Sequence, residues 1–212
     1  LRKIYDQKTL IPIPLAMQMT RLILKGLQYA HSRRDRLGFN LGIIHRDLNP
    51  SNVFLTYSGE VKILDFGISK ATEKSVHDLT PKGEMRGKAA YLAPEQIQNT
   101  FIDQRADLFA VGIVLWELLA AQPLFRRDSK EASFSAILTQ TKPSMSQFRK
   151  IPEQLQAILS KALQNNPETR YQSAQEFEHE LRNLARDLYP SACTQKDLSV
   201  YVKFKIVGVE NG

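Results

Sequence analysis

Between Asp103 or Gln104 and Ala121 the chain is apolar nearly all round, and Leu108 to Trp116 is an unbroken apolar run of nine residues. A membrane-spanning helix needs about 20 apolar residues, so this segment is too short to cross a bilayer. A helix that is apolar on every face is one buried on every face. The rest of the chain must therefore wrap around it. With 212 residues, 42% of them hydrophobic and 24% charged, there is enough chain to bury a sizeable core as one domain, or one and a fraction. That composition excludes a disordered tail, a collagen-like repeat and a disulfide scaffold.

The wrapping elements are legible from their period. Residues 12–31 carry Ile13, Leu15, Ala16, Met19, Leu22, Ile23, Leu27 and Ala30 at helical spacing, with Pro12 and Pro14 near the start. Asp128–Gln140, Pro152–Asn165 and Ser173–Leu188 are further helices. Gly42-Ile43-Ile44, Asn52–Thr56 and Glu60–Leu64 are β-prone, and Tyr57-Ser58-Gly59 between the last two reads as a hairpin turn. From Gly67 to Lys88 the chain is polar and without period, a long loop of the kind that is usually functional or mobile. At the end, Val200, Val202, Phe204 and Ile206 alternate with Tyr201, Lys203 and Lys205, which predicts a strand over 199–207. Such a strand has no obvious partner within the chain, so it would begin a further domain, pair with a sheet edge elsewhere or support self-association.

The basic excess, 29 Lys and Arg against 22 Asp and Glu, lies mostly in residues 1–50, which hold nine basic and three acidic residues. A basic surface favours anionic partners. No nucleic-acid-binding motif accompanies the charge, so a specific nucleic-acid partner is not expected. The lone Cys193 forms no internal disulfide and has no CxxC partner. That fits a reducing, cytoplasmic setting. The N-terminus has no apolar signal core, and an opening on Leu1 suggests a segment cut from something longer.

Chemistry concentrates in three strings. His45-Arg46-Asp47-Leu48-Asn49-Pro50-Ser51-Asn52 lies between β-prone pieces. Asp65-Phe66-Gly67 follows, its Asp thirteen residues beyond Asn52, and Ala93-Pro94-Glu95 closes the polar loop. Each triplet alone is weak; their order and spacing together are specific. The chain resembles the eukaryotic-like protein kinases of the bacterial serine/threonine type. The resemblance runs from about residue 10 to 188 and corresponds to the helical C-terminal lobe only. It implies a mainly α, α+β fold: a kinase-like C-lobe over 1–188 with a small β-hairpin at the catalytic loop, followed by a tail over 189–212.

The resemblance also implies roles. Phosphoryl transfer needs cations held near the phosphates and a carboxylate near the attacking hydroxyl. Asp65 would supply the Mg²⁺ carboxylate and Asn52 an amide oxygen, together binding Mg²⁺ and ATP, while Asp47 accepts or orients the proton of a protein Ser or Thr hydroxyl. His45, Arg46, Phe66 and Gly67 are architectural. Arg46 can pair with a phosphorylated activation loop, for which Thr72, Ser75 and Thr80 are the acceptors on offer. Glu95 should pair with Arg170, and Asp107 should hold the backbone around Asp47.

Two positions depart from the family pattern. Asn49 stands where the serine/threonine branch usually has Lys, and Lys88 where it usually has Thr. The expectation is a charge relocation, with the Lys88 ammonium filling the place that Asn49 leaves without charge. The ten glycines contain no Gly-x-Gly pair, so the glycine-rich loop of the small N-terminal lobe is absent from this chain. Weak ATP binding and little turnover are expected of the chain alone. The alternative is a truncated kinase or pseudokinase lobe that serves as a protein-binding module.

Overall fold

The structure, a computed structural model, describes residues 1, 2, 4, 9–66, 87–139, 142–190 and 194–206. Its centre is the helix α3, Arg105–Ala120, in which every residue from Ala106 to Ala120 is buried. Around it lie α1 (Ile13–His31), the short α2 (Pro94–Ile97), α4 (Lys130–Thr139), α5 (Glu153–Ala162) and α6 (Ala174–Leu188). Helix α1 packs against both α3 and α6, and α5 packs against α3 and α6. The α3–α5 approach is close: a Cβ on Gly112 would stand 3.0 Å from Ala162 Cβ and 3.1 Å from Leu163 Cδ2. Among the described residues the architecture is mainly helical with one small sheet, as the resemblance implies.

That sheet is the antiparallel pair β1 (Val53–Leu55) and β2 (Val61–Ile63), with Val53 opposite Ile63 and Leu55 opposite Val61. Val53 is buried and Ile63 half-buried on the side that meets α1. Ile43 and Ile44, expected to be extended, belong to no strand among the described residues. The amide that follows them, that of His45, bonds to the Asp107 side chain instead of to a neighbouring strand.

The second scaffold is a buried ion pair. Arg170 donates from Nη1 and Nη2 to the two oxygens of Glu95, both at 2.7 Å, and its side chain is fully buried. Its remaining donors reach Gln164 O at 2.6 Å, Asn165 O at 2.9 Å and Arg105 O at 3.2 Å. Its guanidinium carbon lies 4.8 Å from the centre of the Phe109 ring. Every face of the cation is engaged, so loss of one partner would strand a buried charge at a cost of about 3–5 kcal/mol. The pair ties α2, just after the polar loop, to the segment between α5 and α6, and the bond to Arg105 O adds the start of α3.

The expected C-terminal strand is a helix. Residues Gln195–Tyr201 form α7, which runs into a π-helical turn over Val202–Ile206. Thr194 accepts the Asp197 amide while the Asp197 carboxylate takes the Thr194 amide at 2.7 Å, a reciprocal cap that starts a helix. Leu198 and Val202, four residues apart, are buried, whereas Val200 and Phe204 are exposed. The apparent alternation therefore does not mark one face, and self-association through a strand loses its premise. The helix sits on the hairpin turn: Gln195 Nε2 donates to Ser58 O at 3.0 Å and Ser199 Oγ to Tyr57 O at 2.6 Å.

Gly59, at φ +79°, is what lets α7 approach, since a Cβ there would stand 2.1 Å from Gln195 O. Gly59→Ala should therefore lift α7 off the hairpin. Amide exchange across 195–201 should accelerate at least about tenfold while α3 stays protected; unchanged protection of α7 would show that the turn does not seat it.

Candidate active site

The site is assembled on the N-terminus of α3. Asp107, buried in the first turn of that helix, accepts the amide of His45 at 2.8 Å on Oδ2 and the amide of Arg46 at 2.9 Å on Oδ1. His31, the last residue of α1, directs Nε2 at the same Oδ2 from 2.8 Å. A carboxylate that accepts several N–H groups at a helix N-terminus is stabilised there both by those bonds and by the helix dipole.

With His45 and Arg46 fixed, the loop turns sharply. Arg46 takes φ 63°, a left-handed conformation that is rare for a long side chain and stores about 1–3 kcal/mol of strain. Gln96 of α2 holds it there by donating Nε2 to Arg46 O at 2.9 Å. The His45 ring spans two segments. Its Nδ1 accepts the Asp47 amide at 3.3 Å, which assigns the proton to Nε2, and Nε2 donates to Leu64 O at 2.8 Å. The Phe66 ring packs 4.8 Å from it, centre to centre.

The hairpin sets the second half of the site. Leu64 N donates to Asn52 O at 2.9 Å, extending the ladder by one step. Asn52 thus faces Leu64 across the sheet, and Asp65 follows immediately, at φ 57°. The Asp65 carboxylate is exposed and has no hydrogen-bond partner among the described residues.

Three polar side chains meet at Asp47. Asn49 Nδ2 donates to Asp47 O at 2.9 Å and reaches Oδ1 at 3.3 Å. Asn52 Nδ2 donates to Asp47 O at 2.8 Å and reaches Oδ2 at 3.5 Å. Lys88 Nζ lies 3.1 Å from Oδ2, with the Lys side chain about 40% exposed. Asn49 also caps the following turn by accepting the Ser51 amide at 2.9 Å. The structure therefore brings together Asp47, Asn49, Asn52 and Lys88, and the hairpin places Asp65 beside Asn52. Gly67, Thr72, Ser75 and Thr80 lie outside the described residues, as does Cys193. Among the described residues no group of three or more His, Cys, Asp or Glu converges to hold a metal ion, and no helix is long and apolar enough to cross a membrane.

A profile of the protein kinase domain matches residues 1–181. The chain belongs to the protein kinase family. It is 40% identical over 168 residues to the tyrosine-protein kinase MasK of Myxococcus xanthus, covering 79% of this chain and 26% of MasK. It is 38% identical over 177 residues to the probable serine/threonine-protein kinase SCO3848 of Streptomyces coelicolor, covering 83% and 24%. To the serine/threonine-protein kinase PknB of Mycobacterium tuberculosis it is 36% identical over 141 residues, covering 66% and 22%. The chain spans about a quarter of the length of these relatives. The solved PknI kinase domain of M. tuberculosis superimposes with a TM-score of 0.61 at 27% identity, covering 86% of this chain and 59% of that one.

Within this kinase lobe a wide cleft of about 1410 Å³ opens beside the His45–Asn52 loop, with Asn49, Ser51, Asn52, Lys88 and Tyr91 in its wall. Tyr91 donates its hydroxyl to Glu117 Oε2 at 2.6 Å, and Glu117 Oε1 takes the Leu124 amide at 2.9 Å. The motifs do not point to His31, Gln96 or Tyr91. Each acts through a partner far away in sequence, with nothing local to mark it.

Burial, and then the Glu117 carboxylate, push the Tyr91 phenol well above its ordinary range. An unfolded tyrosine ionises near pH 10, so folding holds a proton that the unfolded chain releases. The resulting stability is complete below about pH 10 and declines as pH rises beyond it. In denaturant melts above pH 10, Tyr91→Phe should flatten the alkaline fall of stability by up to about 1.4 kcal/mol per pH unit. Superimposable slopes for the two proteins would mean that the phenol does not stay protonated in the fold.

Proposed function

We propose that this chain is the catalytic-loop lobe of a protein serine/threonine kinase, which transfers the ATP γ-phosphoryl group to a protein hydroxyl. The observation that carries the reading is the convergence on Asp47: two amides and one ammonium, all three from residues that line a wide cleft, orient its half-buried carboxylate. A carboxylate held in this way can accept a hydroxyl proton as the oxygen attacks, a contribution of roughly 10²–10⁴ in rate.

The residues present fit a hard cation. Asn52 spends its Nδ2 on Asp47, which leaves Oδ1 available among the described residues, and Asp65 offers an unpartnered, exposed carboxylate one step along the hairpin. One carboxylate, one amide oxygen and several waters form a set that Mg²⁺ accepts. When bound with ATP, the cation neutralises charge on the transferred group. Asn52 and Asp65 would hold it, and Asp47 orients the acceptor.

The Lys88 ammonium takes the place of a lysine at position 49. It approaches from the other side of the polar loop and delivers positive charge to the same carboxylate. A charged donor is roughly twice as strong as a neutral amide, so Asn49 alone does not substitute for it. This chain by itself binds Mg·ATP weakly, because no Gly-x-Gly loop is available to cover the phosphates; micromolar affinity in calorimetry would contradict that. The single Cys193 favours a reducing, cytoplasmic setting.

The deciding experiment is phosphoamino-acid analysis with radiolabelled ATP, using a longer chain that carries a complete nucleotide site. Phosphoserine and phosphothreonine are expected, with Asp47→Asn abolishing the label. Phosphotyrosine would instead give the acceptor named for MasK. In the same protein Lys88→Met should lower kcat about 10–100-fold, with partial recovery in Lys88→Arg. An unchanged kcat would remove Lys88 from the site.

A further inference from the structure

The loop between α1 and the catalytic loop holds apolar side chains in water, and it does so rigidly. Asp35 Oδ1 accepts the amides of Leu37 at 2.8 Å and Phe39 at 2.9 Å, and Asp35 N donates to Phe39 O at 2.9 Å. Arg34 Nη1 closes onto Gly38 O at 2.7 Å, and Leu41 N bonds to Arg33 O at 2.9 Å. A bridge pairs Arg34 with Asn40, and Asn40 Nδ2 anchors the base to His31 O at 3.3 Å. Every residue from Ser32 to Gly42 is exposed. Leu37 is 82% exposed and Phe39 69%.

Charge surrounds this knob. Arg33, Arg34 and Arg36 flank it, and the one acid, Asp35, turns its carboxylate inward to two backbone amides. Arg33 also lies over the exposed ring of Tyr29, 5.1 Å from its centre. An apolar tip with an aromatic residue and a cationic collar is the composition of interfacial membrane contacts. Guanidinium groups match phosphate in charge and geometry.

We propose that the loop from Arg33 to Leu41 docks on an anionic phospholipid surface, with Leu37 and Phe39 entering the headgroup boundary and the three arginines meeting lipid phosphates. The shape favours a bilayer over a protein. A convex, exposed knob needs a matching groove in a protein partner, whereas a fluid interface accepts it as it is. The inference is independent of the phosphoryl-transfer reading, since none of these residues lies in the catalytic loop.

The test is flotation of the full chain with vesicles of phosphatidylcholine, alone and mixed with phosphatidylglycerol. Binding is expected only to the mixed vesicles, and it should weaken as salt rises. The double variant Leu37→Ser/Phe39→Ser should lower the partition coefficient at least about tenfold, and each Arg→Gln change about fivefold. Thermal melts of these variants should match the parent, because the loop lies outside the core. Absence of flotation, or equal partitioning of the Leu37→Ser/Phe39→Ser variant, would overturn the proposal. Sedimentation showing a dimer that this variant breaks would give the knob to a second copy. Fluorescence of Phe39→Trp that responds to polyglutamate but not to vesicles would give it to an acidic protein.

Discussion

The Asp107 carboxylate accepts the amides of His45 and Arg46 and faces Nε2 of His31. It is itself buried in the first turn of a helix with no exposed face. These contacts join three parts of the chain: the end of α1, the His45–Asn52 loop and, some 60 residues further on, the start of α3. A buried carboxylate is costly unless its oxygens are satisfied, so the bonds reinforce one another. Lose one donor and the remaining charge is worse solvated. The His45–Asn52 loop therefore inherits the rigidity of the core helix beneath it.

From that anchor the rest of the site follows by short connections. Fixing His45 directs its ring between the Asp47 amide and Leu64 O, which locks the His45–Asn52 loop to the end of β2. The hairpin register then sets Asn52 opposite Leu64 and places Asp65 next along the strand. Two non-glycine residues in left-handed backbone, Arg46 and Asp65, mark where this wiring strains the chain. Strain of this kind survives only where surrounding bonds over-determine the conformation, as Gln96 does for Arg46.

What the sequence reveals depends on whether a signal is local. The apolar segment around Leu108–Trp116, the spacing in residues 12–31 and the turn at Tyr57-Ser58-Gly59 each report on neighbours, and the corresponding elements stand within a few residues of where they were expected. The pairing of Glu95 with Arg170 spans 75 residues, and only the family pattern pointed to it. His31 and Gln96 carried no such signal, because the residues they hold are distant and the bonds are to a carboxylate and a backbone carbonyl. The tail misled for a physical reason. Its alternation suited a strand, but the Thr194–Asp197 cap starts a helix just upstream, and Leu198 and Val202 then bury one helical face.

The account rests on Asp107 seating the His45–Asn52 loop, and amide exchange resolved at single residues tests it most directly. In Asp107→Asn the side chain keeps its shape but loses its charge and one acceptor oxygen. Exchange at His45 and Arg46 should rise at least about a hundredfold, as expected for losing charge-assisted bonds worth roughly 3 kcal/mol together, while amides in the middle of α3 keep their protection. Unaltered exchange at His45 and Arg46 would contradict the account, because the loop would then be held in place by something other than this carboxylate.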